Sequence, residues 1–248
     1  MPTATRPQNA TLTGTLPLDR PTAERPHRLY VATSNHCNRS CPWCCTCSSP
    51  RGQTFLALDR YLASFPAEGP FEVQLEGGEP TIHPHFDEMV RLARAEPRCA
   101  RVVVVTNGVE IPRDPAGLDA WLQKLGEPAT IKLSVNHHLL ENDGGLLALA
   151  SALRERLPAL GGDRQLVLNV RLRKTEPDGD AWIVEAVRDA GLLELANVFH
   201  LQRYGFAQKR EDWDEPFLVG THFTMLNPDG SAFGPDLVAR SDAMRRLP

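Results

Sequence analysis

The sequence predicts an α/β fold organised on a mostly parallel sheet. Short β-branched or aromatic runs alternate with helical periodicities for about six rounds, the pattern of consecutive βαβ units. One run, "RVVVVTNG", is apolar throughout its strand, as strands buried on both faces of a parallel sheet are. The 248 residues, 42% hydrophobic and 23% charged, are enough for one substantial core.

The elements follow in order. "RLYVATSN" (Arg28 to Asn35) reads as the first strand. "FLALDRYLASF" has helical spacing, with Leu56, Leu58, Leu62 and Phe65 as its apolar positions. "FEVQLEGG" alternates and then runs into a tight turn on two glycines. "HFDEMVRLARAEP" places Phe86, Met89, Val90, Leu92 and Ala93 at helical spacing and stops at Pro97. "RVVVVTNG" is the third strand, and "AGLDAWLQKLG" is a helix closing at Gly126. "TIKLSVN", the helix "GGLLALASALRERLPAL" and the strand "QLVLNVRL" continue the alternation. "DAWIVEAVRDAGLLE" is a helix ending at Gly191, and "NVFHLQRYG" is a sixth strand. The rhythm then changes: "FLVGTHFTMLNPDGSAF" reads as two strands joined through a turn at Asn227 to Gly230. Right-handed crossovers would place the helices outside. In a parallel sheet the functional loops lie at the C-terminal ends of the strands, here from Asn35, Gly77, Thr106, Asn136 and Gly205 onward.

Composition narrows the function. Net charge is −4 and the pI about 6.1, so no field of one sign points to nucleic acid or an anionic membrane as a bulk partner. No apolar run approaches the roughly 18 residues of a membrane span. Residues 1–26 are rich in Pro and Thr, lack the apolar segment of a secretory signal, and read as a tail or arm. The expected location is cytoplasmic, where thiols stay reduced.

Five of the six cysteines lie in "CNRSCPWCCTCSSP", Cys37 to Pro50, the first of the functional loops; Cys99 stands apart. Reduced surroundings and short spacing argue against disulfides. Structural zinc takes four ligands, usually as two separated pairs, and would have to recruit Cys45, Cys47 or His36. Cys37, Cys41 and Cys44, spaced C-x3-C-x2-C, can instead wrap one iron–sulfur cluster and leave one iron without a protein thiolate. A second segment, "LEGGEPTIHP", follows one βα unit later. Its glycines let backbone approach a ligand closely.

The three-cysteine spacing with Trp43 before the last cysteine, together with Gly77, Gly78, Glu79 and Pro80, resembles the radical S-adenosylmethionine (radical SAM) superfamily. The resemblance covers roughly Arg28 to Gly205. It implies a partial (β/α)6 TIM-type barrel over 27–206, with 207–248 as a C-terminal extension that opens on a short β-hairpin and caps the barrel. It further implies a [4Fe–4S] cluster on Cys37, Cys41 and Cys44. SAM would bind the open iron and be cleaved reductively to a 5′-deoxyadenosyl radical that takes hydrogen from a substrate. By the same resemblance Gly77, Gly78, Glu79 and Pro80 would receive the SAM ammonium, and Ser134 or Asn136 the ribose or carboxylate. Asn169 and Arg171 are an alternating pair on one strand face, and Arg171 suits a forked contact with a carboxylate. For each, a solvated strand end is the alternative. An electron donor such as flavodoxin or ferredoxin is an expected partner.

His137 and His138 follow the fourth strand, and Tyr30 and Tyr204 belong to the first and sixth. All four are candidates for substrate or proton contacts, against ordinary packing or solvation. No cysteine follows Cys99, so a cysteine-rich extension with auxiliary clusters is not expected. The substrate is a small metabolite, a natural-product precursor or a peptide. A degenerate, SAM- or substrate-binding accessory protein and a zinc-binding structural protein are the competing readings.

Overall fold

The structure, a computed structural model, describes residues 21–173, 179–201, 205–207, 223–234 and 236–248. Tyr204, and the start of the expected hairpin over 217–222, lie outside the described residues. Among the described residues eight strands form one open sheet: β1 (His27–Ala32), β2 (Phe71–Glu76), β3 (Cys99–Thr106), β4 (Ala129–Val135), β5 (Arg164–Leu172), β6 (Ala196–His200), β7 (Phe223–Leu226) and β8 (Ala232–Phe233). Their order is β6-β5-β4-β3-β2-β1-β7-β8. Strands β1 to β6 pair in parallel with their sequence neighbours, giving an open sheet of the partial-barrel kind.

The helices are α1 (Leu58–Ala63), α2 (Phe86–Ala95), α3 (Pro115–Leu125), α4 (His137–Asn142), α5 (Leu146–Ala159), α6 (Ala181–Asp189) and α7 (Leu237–Arg245). Each long one lays an apolar stripe on the sheet. In α2 the buried residues are Phe86, Met89, Val90 and Ala93, the i, i+3, i+4, i+7 positions of one face. In α5 they are Leu146, Leu149, Ala150, Leu153 and Leu157. The strands answer with alternate residues: Leu29 and Val31, Val73 and Leu75, Val102 and Val104, Ile131 and Leu133, Leu168 and Val170, all buried. Asp114 starts α3 by accepting the Gly117 amide at 2.8 Å, and Gly126 ends it at a φ of 69°, where a side chain would be strained.

The other face of the sheet carries Arg28, Tyr30, Gln74, Glu76, Arg101, Lys132, Ser134, Asn169 and Arg171, so the concave interior is polar. β3 keeps apolar residues there, Val103 and Val105, which is why its sequence reads as an unbroken apolar run; Val167 of β5 joins them.

Three features differ from the sequence expectation. The helix expected from Phe55 begins only at Leu58, because Phe55 bridges to Ser34. Its face is thereby rotated: Tyr61 is fully buried, its hydroxyl donating to the Met89 carbonyl at 3.1 Å, and Leu62 is exposed. A short helix, α4, fills "HHLLEN", capped by Asn136, whose side chain accepts the Leu139 amide at 3.0 Å. And β7, expected as a hairpin strand, also joins β1 in parallel before turning antiparallel into β8.

Helix α7 returns to the barrel. Arg240 is 6% exposed and reaches the interior, donating to Glu76 Oε1 at 2.6 Å and to Asn227 Oδ1 at 3.2 Å. Glu76 Oε2 accepts from Gln74 Nε2 at 2.5 Å, and Gln74 Oε1 accepts from Lys132 Nζ at 2.7 Å. Breaking a buried ion pair from one side leaves a charge without compensation and costs about 3–5 kcal/mol. Arg240→Met should lower the unfolding free energy by that order, read as a lower urea midpoint, and adding Glu76→Gln should restore most of the loss. Equal destabilisation by the single and double variants would show that the pair itself contributes nothing.

Candidate functional site

The loops after β1, β2, β3 and β4, with Arg171 at the end of β5 and Leu201 after β6, line an open cleft of about 120 Å³. Cys37, Cys41 and Cys44 lie on one side, Gly77 to Glu79 and Thr106 with Asn107 on the next, and Ser134, Asn136 and Arg171 opposite.

Local hydrogen bonds shape the cysteine loop. The Cys37 amide donates to the Ser49 carbonyl and the Ser49 amide to the Asn35 carbonyl, both at 3.1 Å, so "CTCSS" folds back beside "SNHC". The Ser48 amide reaches Cys44 Sγ at 3.4 Å, and Thr46 Oγ1 lies 3.3 Å from the same sulfur. Asn107 Nδ2 lies 3.7 Å from Cys37 Sγ and 2.7 Å from Asn38 Oδ1.

The glycine turn is locked against this loop. The Gly78 amide donates to Ser48 Oγ at 2.8 Å. Gly78 has a φ of 56°, and a Cβ there would run into the His36 carbonyl and come within 2.7 Å of Ser34 Oγ. Only glycine permits that approach.

Glu79 is 1% exposed. Its Oε1 accepts from the Thr81 amide at 3.2 Å, Thr81 Oγ1 at 2.6 Å and Thr106 Oγ1 at 2.7 Å, and its Oε2 accepts from the Asn107 amide at 2.8 Å. Burial pushes this carboxyl up, and the four hydrogen bonds oppose the push. The carboxylate that the sequence offered to a SAM ammonium is therefore engaged as a brace between the glycine turn and the end of β3. Around it the backbone of Gly77 and Gly78 lines the cleft.

All six cysteines are free thiols. Burial pushes the Cys37 thiol up, and it pushes Cys41 up to about 12, with Cys44 adding to both. Cys37 and Cys41, so costly to hold as bare anions, are suited together with Cys44 to a cationic iron centre, which takes thiolates. Hydrogen-bond donors already face two of the sulfurs, the kind of contact that tunes a cluster. The donor set thus fits a [4Fe–4S] cluster. Among the described residues, no three His, Cys, Asp or Glu side chains are gathered as around a single metal ion. A cuboidal cluster holds its thiolates further apart than one ion does.

Comparison with known proteins agrees. No family model matches the chain. GTP 3′,8-cyclase of Chlorobaculum tepidum is 32% identical over 97 residues, covering 36% of this chain and 29% of the cyclase. That of Stenotrophomonas maltophilia is 30% identical over 148 residues, covering 53% and 44%. The chain thus spans less than half the length of these curated relatives. Among solved structures, Streptococcus suis SuiB matches with TM-scores of 0.51 alone and 0.50 bound to precursor peptide SuiA. Both are at 16% identity, covering 76% of this chain and 43% of SuiB; that likeness is one of fold.

These likenesses support a member of the radical SAM superfamily.

Within this fold the other expected site residues are distributed unevenly. Ser134, Asn136 and Arg171 line the cleft, and the Arg171 guanidinium lies 5.4 Å from the Phe199 ring centroid. Asn169, beside Ser134 in register, is buried. His137 is buried against Trp43, ring centroids 4.1 Å apart, and burial and Arg173 push its pKa down. His138 meets the Trp43 ring edge-on at 6.2 Å. Tyr30 is not brought to the cleft; it faces a second cavity nearer the start of the strands and meets Phe223 edge-on.

Cys45 lines the cleft, whereas Cys47 is buried at a φ of 52°, its thiol 3.8 Å from the Ser241 carbonyl of α7. Cys99 opens β3 at the opposite end of the sheet, its thiol donating to the Arg101 carbonyl at 3.5 Å. The sequence reading assigned no role to Asn107, Thr46 or Ser48. The polar "TNG" at a strand end and the "TCS" beside the last cluster cysteine were the available signals.

Replacing Glu79 by Gln puts an NH2 group where a donor already points. The expected cost is about 1–3 kcal/mol, read as a lower urea midpoint at unchanged slope. An unaltered midpoint would remove the brace from this account.

Proposed function

We propose that the chain is an enzyme that holds a [4Fe–4S] cluster on Cys37, Cys41 and Cys44 and binds SAM in the adjoining cleft. It then takes a hydrogen atom from a small-molecule or peptide substrate. The observation that carries this reading is the meeting, at one cleft, of the three-cysteine loop and the doubly left-handed Gly77–Gly78 turn. When bound, the cluster supplies the electron that cleaves SAM to methionine and a 5′-deoxyadenosyl radical.

The chain's own residues bind and orient. The carbonyls of Gly77 and Gly78 are acceptors suited to an ammonium. Arg171, leaning on Phe199, offers two parallel N–H groups to a carboxylate. Asn136 has its amide oxygen committed to the α4 cap, so it offers an N–H donor. Ser134 supplies a hydroxyl suited to a ribose. The Trp43 indole nitrogen and His137 Nδ1 are buried without a hydrogen-bond partner, which suits them to a polar group of a ligand. Leu139 and Leu201 supply apolar wall that displaces water from the reacting region.

The names of the relatives bear on substrate only as possibilities of class. SuiB is recorded with a precursor peptide and the cyclases act on GTP. The electron would come from an external donor such as flavodoxin or ferredoxin.

The test is anaerobic reconstitution followed by reduction in the presence of SAM. The wild-type chain should retain iron and sulfide and release 5′-deoxyadenosine. Replacing Cys37, Cys41 and Cys44 together by Ala should abolish both, whereas Cys45→Ala with Cys47→Ala should leave iron and sulfide unchanged. Zinc in place of iron, or an intact cluster with no SAM cleavage, would overturn the enzyme reading.

A further inference from the structure

Below the cleft, in the N-terminal half of the strands, lies a second cavity of about 220 Å³ on the concave face. Barrel interiors at this level are ordinarily filled by branched apolar side chains. Here the walls carry Arg28, Arg101 and Lys132 against one carboxylate, Glu72, with Tyr30 and Gln74 beside them. The Gln74–Glu76 hydrogen bond stands between this compartment and the cysteine cleft, since Gln74 lines the lower space and Glu76 the upper.

The positive charge is only partly answered. Glu72 serves two guanidiniums at a distance, Arg28 at 3.8 Å and Arg101 at 3.9 Å. Arg101 is also paired with Asp163 at the rim and donates to the Ala129 carbonyl at 3.1 Å. Among the described residues Lys132 has no carboxylate within ion-pair distance, and it donates to a neutral acceptor, Gln74 Oε1. Glu76, the next carboxylate along the wall, is committed to Arg240. Burial pushes the Lys132 pKa down, Arg28 and Arg171 push the same way, and Glu76 and Glu72 oppose them. A half-buried ammonium on a neutral acceptor, beside open space, is a position where an anion gains both Coulomb energy and hydrogen bonds.

We propose that this lower compartment is a binding site for an oxyanion, a carboxylate or phosphate group on a small molecule, with Lys132 as its principal contact. Arg28, whose side chain is 62% exposed, marks the entrance and attracts the ligand. Tyr30 and Gln74 supply neutral hydrogen-bonding groups around it. The proposal does not rest on the cluster or on SAM, and it stands or falls separately from them.

The chain has four lysines, Lys124, Lys132, Lys174 and Lys209, so NMR of protein labelled with 13C at the lysine ε-carbon resolves the site directly. Lys132→Arg assigns its signal, or elimination does so through Lys124→Arg, Lys174→Arg and Lys209→Arg. Sodium phosphate and sodium malonate are titrated separately, with ionic strength held by chloride. The expected result is a saturable shift of the Lys132 signal with at least one of them, the other three signals staying in place. Which anion acts separates a phosphate site from a carboxylate site. Lys132→Met should weaken the same anion at least tenfold by calorimetry. No saturable shift with either anion, equal shifts at all four lysines, or unchanged affinity in Lys132→Met would overturn the proposal and leave Lys132 as a structural strut to Gln74.

Discussion

One buried carboxylate organises the candidate site. Glu79 gathers four hydrogen bonds from Thr81, Thr106 and Asn107, and so fastens the turn after β2 to the end of β3. Asn107 carries the fastening onward, through Asn38 and toward the Cys37 sulfur. Three loops that leave separate strands are thereby fixed to one another. A carboxylate so far from water survives because each donor repays part of its desolvation. The arrangement gives the two left-handed glycines a rigid frame and leaves their backbone facing the cleft.

The alternation of strands and helices, the location of the functional loops and the convergence of the cysteine and glycine segments were legible in the sequence. Each rests on a local signal: the period of apolar residues, the short spacing of thiols, or glycines at a strand end. The role of Glu79 was not legible. Sequence marks it as an acidic residue beside a ligand-binding turn, and only the packing shows that its oxygens are occupied by donors from 27 and 28 residues away. Tyr30 illustrates the same limit. Its strand was identified, but its height along the strand, which decides the compartment it faces, depends on register with Gln74. Leu62 and Tyr61 exchanged places for a smaller reason, a helix that starts a few residues late.

The polar interior unites the two compartments and the C-terminal segment. Lys132, Gln74, Glu76, Arg240 and Asn227 form one chain of charged and amide groups across β4, β2, α7 and the turn after β7. Apolar packing could have joined α7 to the barrel. A buried chain of this kind instead imposes a single seating, because any other leaves a charge unsatisfied.

Helix α7 also closes on the cysteine loop itself. Ser241 Oγ donates to the Cys45 carbonyl, a contact between residues 196 positions apart, and Asn35 donates to the Pro248 carbonyl across 213. On the ribosome the cysteines therefore emerge long before the segment that buttresses them has been made. Contacts of such long range form late in folding. Through that interval the nascent loop has only its contacts with Ser49, Gly78 and Asn107, and the buttress from α7 and Pro248 is added last.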